Sequence, residues 1–307
     1  MCEGRTADAV GGAVCRVCGG PTASAFFTRD FNRRVSEEAF EYVRCRHCGT
    51  LALANVPVEL GAYYPQDYYR VPASRAALLA VGGDAERDKL ALLLPFAPPG
   101  RLLEIGPAVG AFLAVAQEAG YAVQAVEMDK QCCQFLEGEL GVPTICSDDP
   151  AAVLAKEGPF DVIALWQVIE HVTDPDAVIE AAAKALAPGG VLALAAPNPD
   201  ALQLRIFRNR WTHIDAPRHL FLLPLETLAG LGKKHELEVV FETTSDRSAL
   251  GWNLFGWRES LAGLARSRIG RRWLRLVGSV AARVLGPIER RGRRGATYTL
   301  FLRRPGP

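Results

Sequence analysis

The sequence predicts an α/β fold: a doubly wound, mostly parallel seven-stranded sheet preceded by a small N-terminal zinc ribbon. Three observations predict it. From about residue 100, β-branched apolar runs alternate with helical stretches, as in a parallel sheet covered by helices on both faces. Two Cys-x-x-Cys pairs stand within the first fifty residues, and a glycine-bearing turn ends the first apolar run. The chain's 307 residues suit about two domains at roughly 100–200 residues each. With 49% apolar and 22% charged residues, disordered, collagen-like and coiled-coil classes are excluded.

The ribbon comes first. Cys15-Arg-Val-Cys18 and Cys45-Arg-His-Cys48 are each followed by a glycine. Two thiolates two residues apart grip one side of a tetrahedral zinc ion, and a second pair closes the site. Four cysteine ligands leave no open position, so this zinc is structural. His47 is read as a spacer, and Phe40–Arg44 as a ribbon strand. The first twenty residues lack an apolar signal core, which predicts an intracellular, cytoplasmic protein and disfavours disulfides. Cys2, Cys132, Cys133 and Cys146 show no ligand spacing. Tyr63, Tyr64, Tyr68 and Tyr69 form a lid or a packing layer, and Gly82-Gly83 marks a break.

The core follows. Strands are expected at Arg101–Ile105, Ala122–Val126, Thr144–Cys146, Phe160–Leu165, Val191–Ala195, Leu237–Thr243 and Thr297–Leu302. Helices are expected at Ala111–Ala119, Lys130–Leu140, Pro175–Leu186 and Leu225–Lys234. The domain layout is 1–55 for the ribbon, 56–88 for the Tyr-rich linker or lid, 89–257 with 295–307 for the core, and 258–294 for a basic helical insertion. From Arg258 to Arg304 there are thirteen Arg, no Lys and two acids, a local charge of +11 in a chain of net +1. Leu261, Leu264, Trp273, Leu276, Val277, Val280, Val284 and Ile288 recur there at three- or four-residue spacing. An apolar face with Trp beside Arg reads as a surface-seeking helix for a membrane or an acidic partner; a helical cap or dimer contact is the rival reading. No apolar run reaches the roughly 18 residues of a spanning helix.

The chemistry centres on Leu103-Glu104-Ile105-Gly106-Pro107-Ala108-Val109-Gly110. A glycine turn between strand and helix lets a ligand approach the backbone. Glu104 suits a ligand bearing an amino cation and would repel a pyrophosphate, which argues against a nicotinamide dinucleotide. Glu127 ends the second strand, where a carboxylate accepts hydrogen bonds from both ribose hydroxyls. Together the two acids favour a cationic adenosine derivative, S-adenosylmethionine.

Glu104-Ile-Gly106-Pro-Ala-Val-Gly110, Val126-Glu127, Phe160-Asp161-Val-Ile-Ala-Leu-Trp166-Gln-Val-Ile-Glu170-His171-Val-Thr-Asp174-Pro175 and Leu186-Ala-Pro-Gly189-Gly190 resemble the class I S-adenosylmethionine-dependent methyltransferases. The group including the ubiquinone-biosynthesis O-methyltransferases and zinc-ribbon methyltransferases of sugar and natural-product pathways is the most similar, over about residues 85–245. The resemblance implies cofactor contacts by Glu104, Gly106, Gly110, Glu127, Met128 at the adenine, Asp148 (with Asp149 as a rival) and Trp166. Pro107 departs from the usual small residue and removes one N–H donor. In the ubiquinone branch a further acid joins the Glu-His pair on a divalent metal. Gln167 stands in its place here, a poorer ligand for magnesium, so Glu170 and His171 serve either magnesium or the ordering of their loop.

For the base, Trp211-Thr-His213-Ile-Asp215-Ala-Pro-Arg218-His219 is denser in polar chemistry than a connecting loop requires. His219 leads, with His213 and Asp215 as alternatives. The expected reaction is methyl transfer to a hydroxyl or carbon of a small molecule: a sugar, lipid-linked or natural-product intermediate. A non-catalytic cofactor-binding scaffold and an RNA-modifying methyltransferase are the alternatives. The ribbon's few aromatic residues speak against nucleic acid.

Overall fold

The computed structural model describes residues 14–65 and 68–306; Cys2 lies outside them. The N-terminal part builds a small antiparallel sheet from β1 (Thr22–Thr28), β2 (Phe40–Cys45) and β3 (Leu51–Leu53). A fourth strand, β9 (Phe221–Leu222), comes from far along the chain, pairing Leu222 with Leu51 and Phe221 with Ala52. The ribbon is therefore continued by the segment that follows His219. In the ribbon, Gly19 and Gly49 sit at φ +72° and +73°, a left-handed bend that glycine adopts without strain. The Cys15 and Cys48 sulfurs lie 3.7 Å apart, and those of Cys18 and Cys45 3.5 Å apart. Sulfurs at ~2.3 Å from one tetrahedral ion would stand ~3.8 Å apart. The N–H groups of Val17, His47 and Cys48 also donate to these sulfurs. The cluster is compatible with zinc.

The second sheet has seven strands: β4 (Arg101–Ile105), β5 (Ala122–Glu127), β6 (Thr144–Cys146), β7 (Phe160–Trp166), β8 (Leu186–Pro197), β10 (Glu238–Thr243) and β11 (Thr297–Arg303). Their order is β10-β11-β8-β7-β4-β5-β6. β11 runs antiparallel to both neighbours, and the others pair in parallel. Burial explains the continuous apolar runs. On β4 and β7, Leu103, Ile105, Ile163 and Leu165 enter one core, whereas Leu102, Val162 and Ala164 enter the other. A strand covered on both faces has no polar alternation to show.

Helices flank the sheet: α1 (Arg75–Leu93), α2 (Ala111–Glu118), α3 (Lys130–Gly138), α4 (Pro150–Leu154), α5 (Pro175–Ala185), α6 (Leu202–Phe207), α7 (Leu225–Lys234), α8 (Arg247–Ala262) and α9 (Arg268–Arg290). Short polar caps start several of them. Asp129, Asp149, Asp174 and Asp246 each accept the N–H three residues on, which satisfies an orphan donor of the first turn.

Three expectations are corrected. Gly82-Gly83 does not break the chain, because α1 runs through both. Each glycine costs about 1 kcal/mol of helix propensity, and packing of α1 against α2 outweighs it. Cys133 and Cys146 are joined in a disulfide, with Cα atoms 6.1 Å apart; α3 and β6 bring together thiols that sequence spacing does not relate. The basic segment is also more than one amphipathic helix. α8 and α9 form a hairpin between β10 and β11, with the turn near Gly263–Ser267. No helix among the described residues is long and apolar enough to cross a membrane.

Candidate active site

The site lies at the carboxyl ends of β4, β5 and β7, the position at which open α/β sheets bind ligands. Gly106 (φ +65°) and Gly110 (φ +74°) bend the β4–α2 turn. A Cβ on Gly106 would stand 2.8 Å from the Val168 side chain, and one on Gly110 would collide with Leu136. Glu127 stitches this turn to the next. Its carboxylate accepts from Ala108 N at 2.8 Å, Met128 N at 2.8 Å and Asp129 N at 2.9 Å. A carboxylate offers about four lone-pair sites, so three backbone donors leave capacity for a ligand hydroxyl.

Glu104 is buried, and its Oε2 has no partner among the described residues. Burial, and then the charge of Glu86, push its carboxyl well above the usual range. An ammonium group placed there would supply the missing charge. The Trp166 indole is buried, its Nε1 without a partner among the described residues, and lies edge-on to Phe112 at 5.3 Å. Past β5, Met128 is 63% exposed. Asp149 is committed to capping α4, whereas Asp148 is exposed and free of that duty. The residues therefore fit S-adenosylmethionine: an unpaired buried carboxylate for the amino acid end, and a carboxylate and an open apolar surface for the nucleoside.

A cavity of about 530 Å³ adjoins this turn, bounded by Gly106, Ala108 and Trp166 at one end and by Glu170, His171 and His219 at the other. Tyr68 and Tyr69 line it as well, together with Trp252 and Phe255 of α8. The Tyr64 hydroxyl lies 3.1 Å from His171 Nδ1, whereas Tyr63 is buried and donates to Glu38. The tyrosine stretch is thus divided between wall and packing.

Three ionisable side chains meet at the far end. One ligand atom from each of Glu170, His171 and His219 lies within 4.8 Å of the others. His171 Nδ1 sits 3.0 Å from the Arg218 carbonyl, and His219 Nδ1 2.9 Å from the His213 carbonyl. Carbonyls only accept, so both Nδ1 atoms carry the proton and both Nε2 atoms keep a lone pair. Glu170 is 1% exposed, and neither of its oxygens has a hydrogen-bond partner among the described residues. Burial, and then Asp215, push its carboxyl up to about 8. Burial and the neighbouring His171 bring His219 down to about 3, so its imidazole is neutral near pH 7. One carboxylate with two imidazoles is not the all-oxygen set magnesium takes; Gln167 lines the same cavity.

The two other base candidates are otherwise engaged. Asp215 accepts from Arg218 Nε and Nη2, both at 2.9 Å, and from Asn32 at 2.5 Å. Burial alone would raise its carboxyl, but the Arg218 hydrogen bonds hold it down to about 2, too acidic to take a proton from an acceptor. His213 Nε2 is 3.2 Å from the Trp252 carbonyl, and burial brings the ring to about 4. It packs beside Trp211, Trp252 and Phe255 and also lines the cavity.

Arg218 stands in the polar stretch singled out in the sequence but was given no role there, and Asp30 was not singled out. The fully buried Arg218 guanidinium pairs with Asp30 at 2.5 Å and with Asp215, and donates to the Tyr63 carbonyl. The Tyr42 hydroxyl donates to the His219 carbonyl at 2.6 Å. An arginine one residue before a candidate base was the available signal; its partner, 188 residues away, carried none.

The comparisons bear on this geometry. A family model described as a methyltransferase domain matches residues 80–242, just over half of the chain. The chain belongs to that family. Among curated relatives of this methyltransferase, the ubiquinone biosynthesis O-methyltransferase of Caulobacter sp. (strain K31) is 34% identical over 103 residues, 32% of this chain and 41% of the relative. That of Xanthomonas campestris pv. campestris (strain B100) is 28% identical over 116 residues, 36% of this chain and 48% of the relative. The alignments thus span under half the length of these relatives. Solved structures share the fold. A putative sarcosine dimethylglycine methyltransferase from Galdieria sulphuraria has a TM-score of 0.50 at 14% identity, covering 78% of this chain and 95% of that one. The Haemonchus contortus phospholethanolamine N-methyltransferase 2, solved with S-adenosylhomocysteine, has a TM-score of 0.52 at 16% identity, covering 94% and 69%. The expected family and class I sheet are both found in this methyltransferase.

Proposed function

We propose that the chain transfers a methyl group from S-adenosylmethionine to a hydroxyl or carbon acid of a small molecule, a sugar, lipid-linked or natural-product intermediate. The observation that carries this reading is the single cavity running from the Gly106–Ala108 turn and Trp166 to Glu170, His171 and His219. When bound, the cofactor supplies a methyl group already activated by a cationic sulfur.

The protein's own residues have three tasks. Glu104 holds the amino cation and Glu127 the ribose, which fixes the line of transfer. Trp166, Tyr68 and Tyr69 exclude water along that line. Glu170 takes the acceptor's proton: a carboxyl near 8 is ionised in a useful fraction at neutral pH and is more basic than an ordinary carboxylate. His219 and His171 present Nε2 lone pairs beside it and orient the acceptor's hydroxyl. This assignment keeps His219 at the acceptor, moves the base to Glu170, and gives Asp215 and His213 positioning roles. We further propose a structural zinc at Cys15, Cys18, Cys45 and Cys48, fixing the ribbon that β9 joins to the His219 segment.

The deciding test is turnover with labelled S-adenosylmethionine against a panel of hydroxylated and carbon-acid acceptors. Methyl incorporation that disappears in E170Q supports the reading. Tight S-adenosylhomocysteine binding without turnover on any acceptor favours a scaffold, and methylation of RNA alone favours the RNA-modifying alternative.

A further inference from the structure

The outer face of α9 is apolar and is not covered by the other described residues. Ile269, Trp273, Leu276, Val280, Val284 and Ile288 follow one another at intervals of three or four residues, which places them along a single side of the helix. They are between 43% and 74% exposed. The opposite side makes the contacts with the protein. A Cβ on Gly278 would stand 2.7 Å from the Arg258 Cα and 2.8 Å from the Trp257 carbonyl oxygen, so α9 touches α8 backbone to backbone there. Glu289, 1% exposed, accepts from Gln203 and from the Trp257 indole, and Arg275 pairs with Glu259. Arg268, Arg272, Arg283 and Arg290 are exposed along one edge of the apolar stripe.

We propose that α9 lies flat on an anionic lipid bilayer, with this stripe in the acyl boundary and the arginine edge at the headgroups. Burying a side chain of this size is worth about 1.5–3 kcal/mol, so six exposed in a row form an unsatisfied surface. Charge selects the occupant. The helix carries six arginines and one acid, and that acid is the buried Glu289. Two copies meeting through this face would bring arginine edges together with no exposed carboxylate on the helix to offset them. Anionic headgroups supply that charge, at about 1 kcal/mol per arginine near the surface. The tryptophan in the stripe suits the interface, and a helix that cannot span lies on the surface.

The cavity gives the surface a use. Arg271 of α9 and Phe255, Glu259 and Trp252 of α8 line its wall, so docking would open the acceptor end toward the lipid. That consequence rests on the proposed function; the docking itself does not.

The test is co-sedimentation of the full chain with phosphatidylcholine vesicles and with equimolar phosphatidylcholine–phosphatidylglycerol vesicles, using the wild type, W273D/V280D and R272E/R283E. Both pairs of side chains are exposed, and retained thermal stabilisation by S-adenosylhomocysteine checks the fold. Wild type is expected to sediment with the anionic vesicles, with a blue shift of tryptophan emission. The apolar pair should bind at least about tenfold less, and the charge pair should lose its preference for anionic lipid. Equal sedimentation of wild type and W273D/V280D would overturn the proposal. So would no binding, or a dimer in light scattering that the same variant abolishes. Vesicle binding without methyl transfer would leave the docking standing and count against the enzyme reading alone.

Discussion

Arg218 and Asp30 form a buried ion pair, at 2.5 Å, between the ribbon and the loop that carries His219. Asp30 is itself held by the N–H groups of Arg33 and Val35, and Asp215 closes the other side of the guanidinium. The ribbon is thereby part of the candidate site's frame. R218M strands two buried carboxylates and should destabilise the protein by about 3–5 kcal/mol. Thermal unfolding measures this, and a change under about 1 kcal/mol would show that the pair is dispensable.

Asp215 gives this frame a pH dependence. Its carboxyl is held at about 2, below its ordinary 3.8. A depressed carboxyl contributes stability that is complete above the unfolded value and lost as pH falls through the folded one. Asp215 therefore stabilises above pH 4 by on the order of 2 kcal/mol, fading toward pH 2. In denaturant titrations, D215N should lie below wild type at pH 6 and converge with it near pH 2. A gap unchanged across that range would contradict the ion pair.

Glu170 behaves in the opposite sense. Its carboxyl stands at about 8, above the ordinary 4.5, so the folded state prefers it protonated. The associated stability is complete below pH 4.5 and lost as pH rises through 8. E170Q, which cannot ionise, should match wild type near pH 4 and melt higher above pH 8, by roughly 2–6 °C. As the base it should also lower kcat about 10²–10⁴-fold, and wild-type kcat/KM should rise with pH toward an inflection near 8. Unchanged activity in E170Q would remove it from the chemistry.

The ribbon's cysteines carry a separate expectation. Metal analysis should find one zinc per chain, and chelation or C45S should unfold the ribbon sheet. Because β3 pairs with β9, loss of zinc should lower methyl transfer while leaving S-adenosylhomocysteine affinity within about threefold, since Glu104 and Glu127 belong to the other sheet. Full transfer activity in zinc-free protein would separate the ribbon from the site.

What the sequence made legible follows the range of the interactions. The seven core strands were readable because each is a short apolar run bounded by a turn, and the cofactor turn because glycines and acids mark it locally. β9 has two residues and no periodicity, so only its partner β3 defines it. Asp30 and Arg218, and Cys133 and Cys146, meet because the fold places them together. Glu170 was visible as a residue but not as the base proposed here, because its raised proton affinity comes from burial. The continuity of α1 through Gly82-Gly83 was hidden because tertiary packing overrides local propensity.

The most direct measurement is calorimetric titration of the zinc-replete protein with S-adenosylhomocysteine and, separately, with NAD, repeated on E104Q. One site per chain is expected for the sulfur nucleoside, no binding of NAD, and about tenfold or greater weakening in E104Q, because a charge-assisted contact to the amino group is lost. No heat of binding for the sulfur nucleoside, or equal affinity in E104Q, would contradict that expectation.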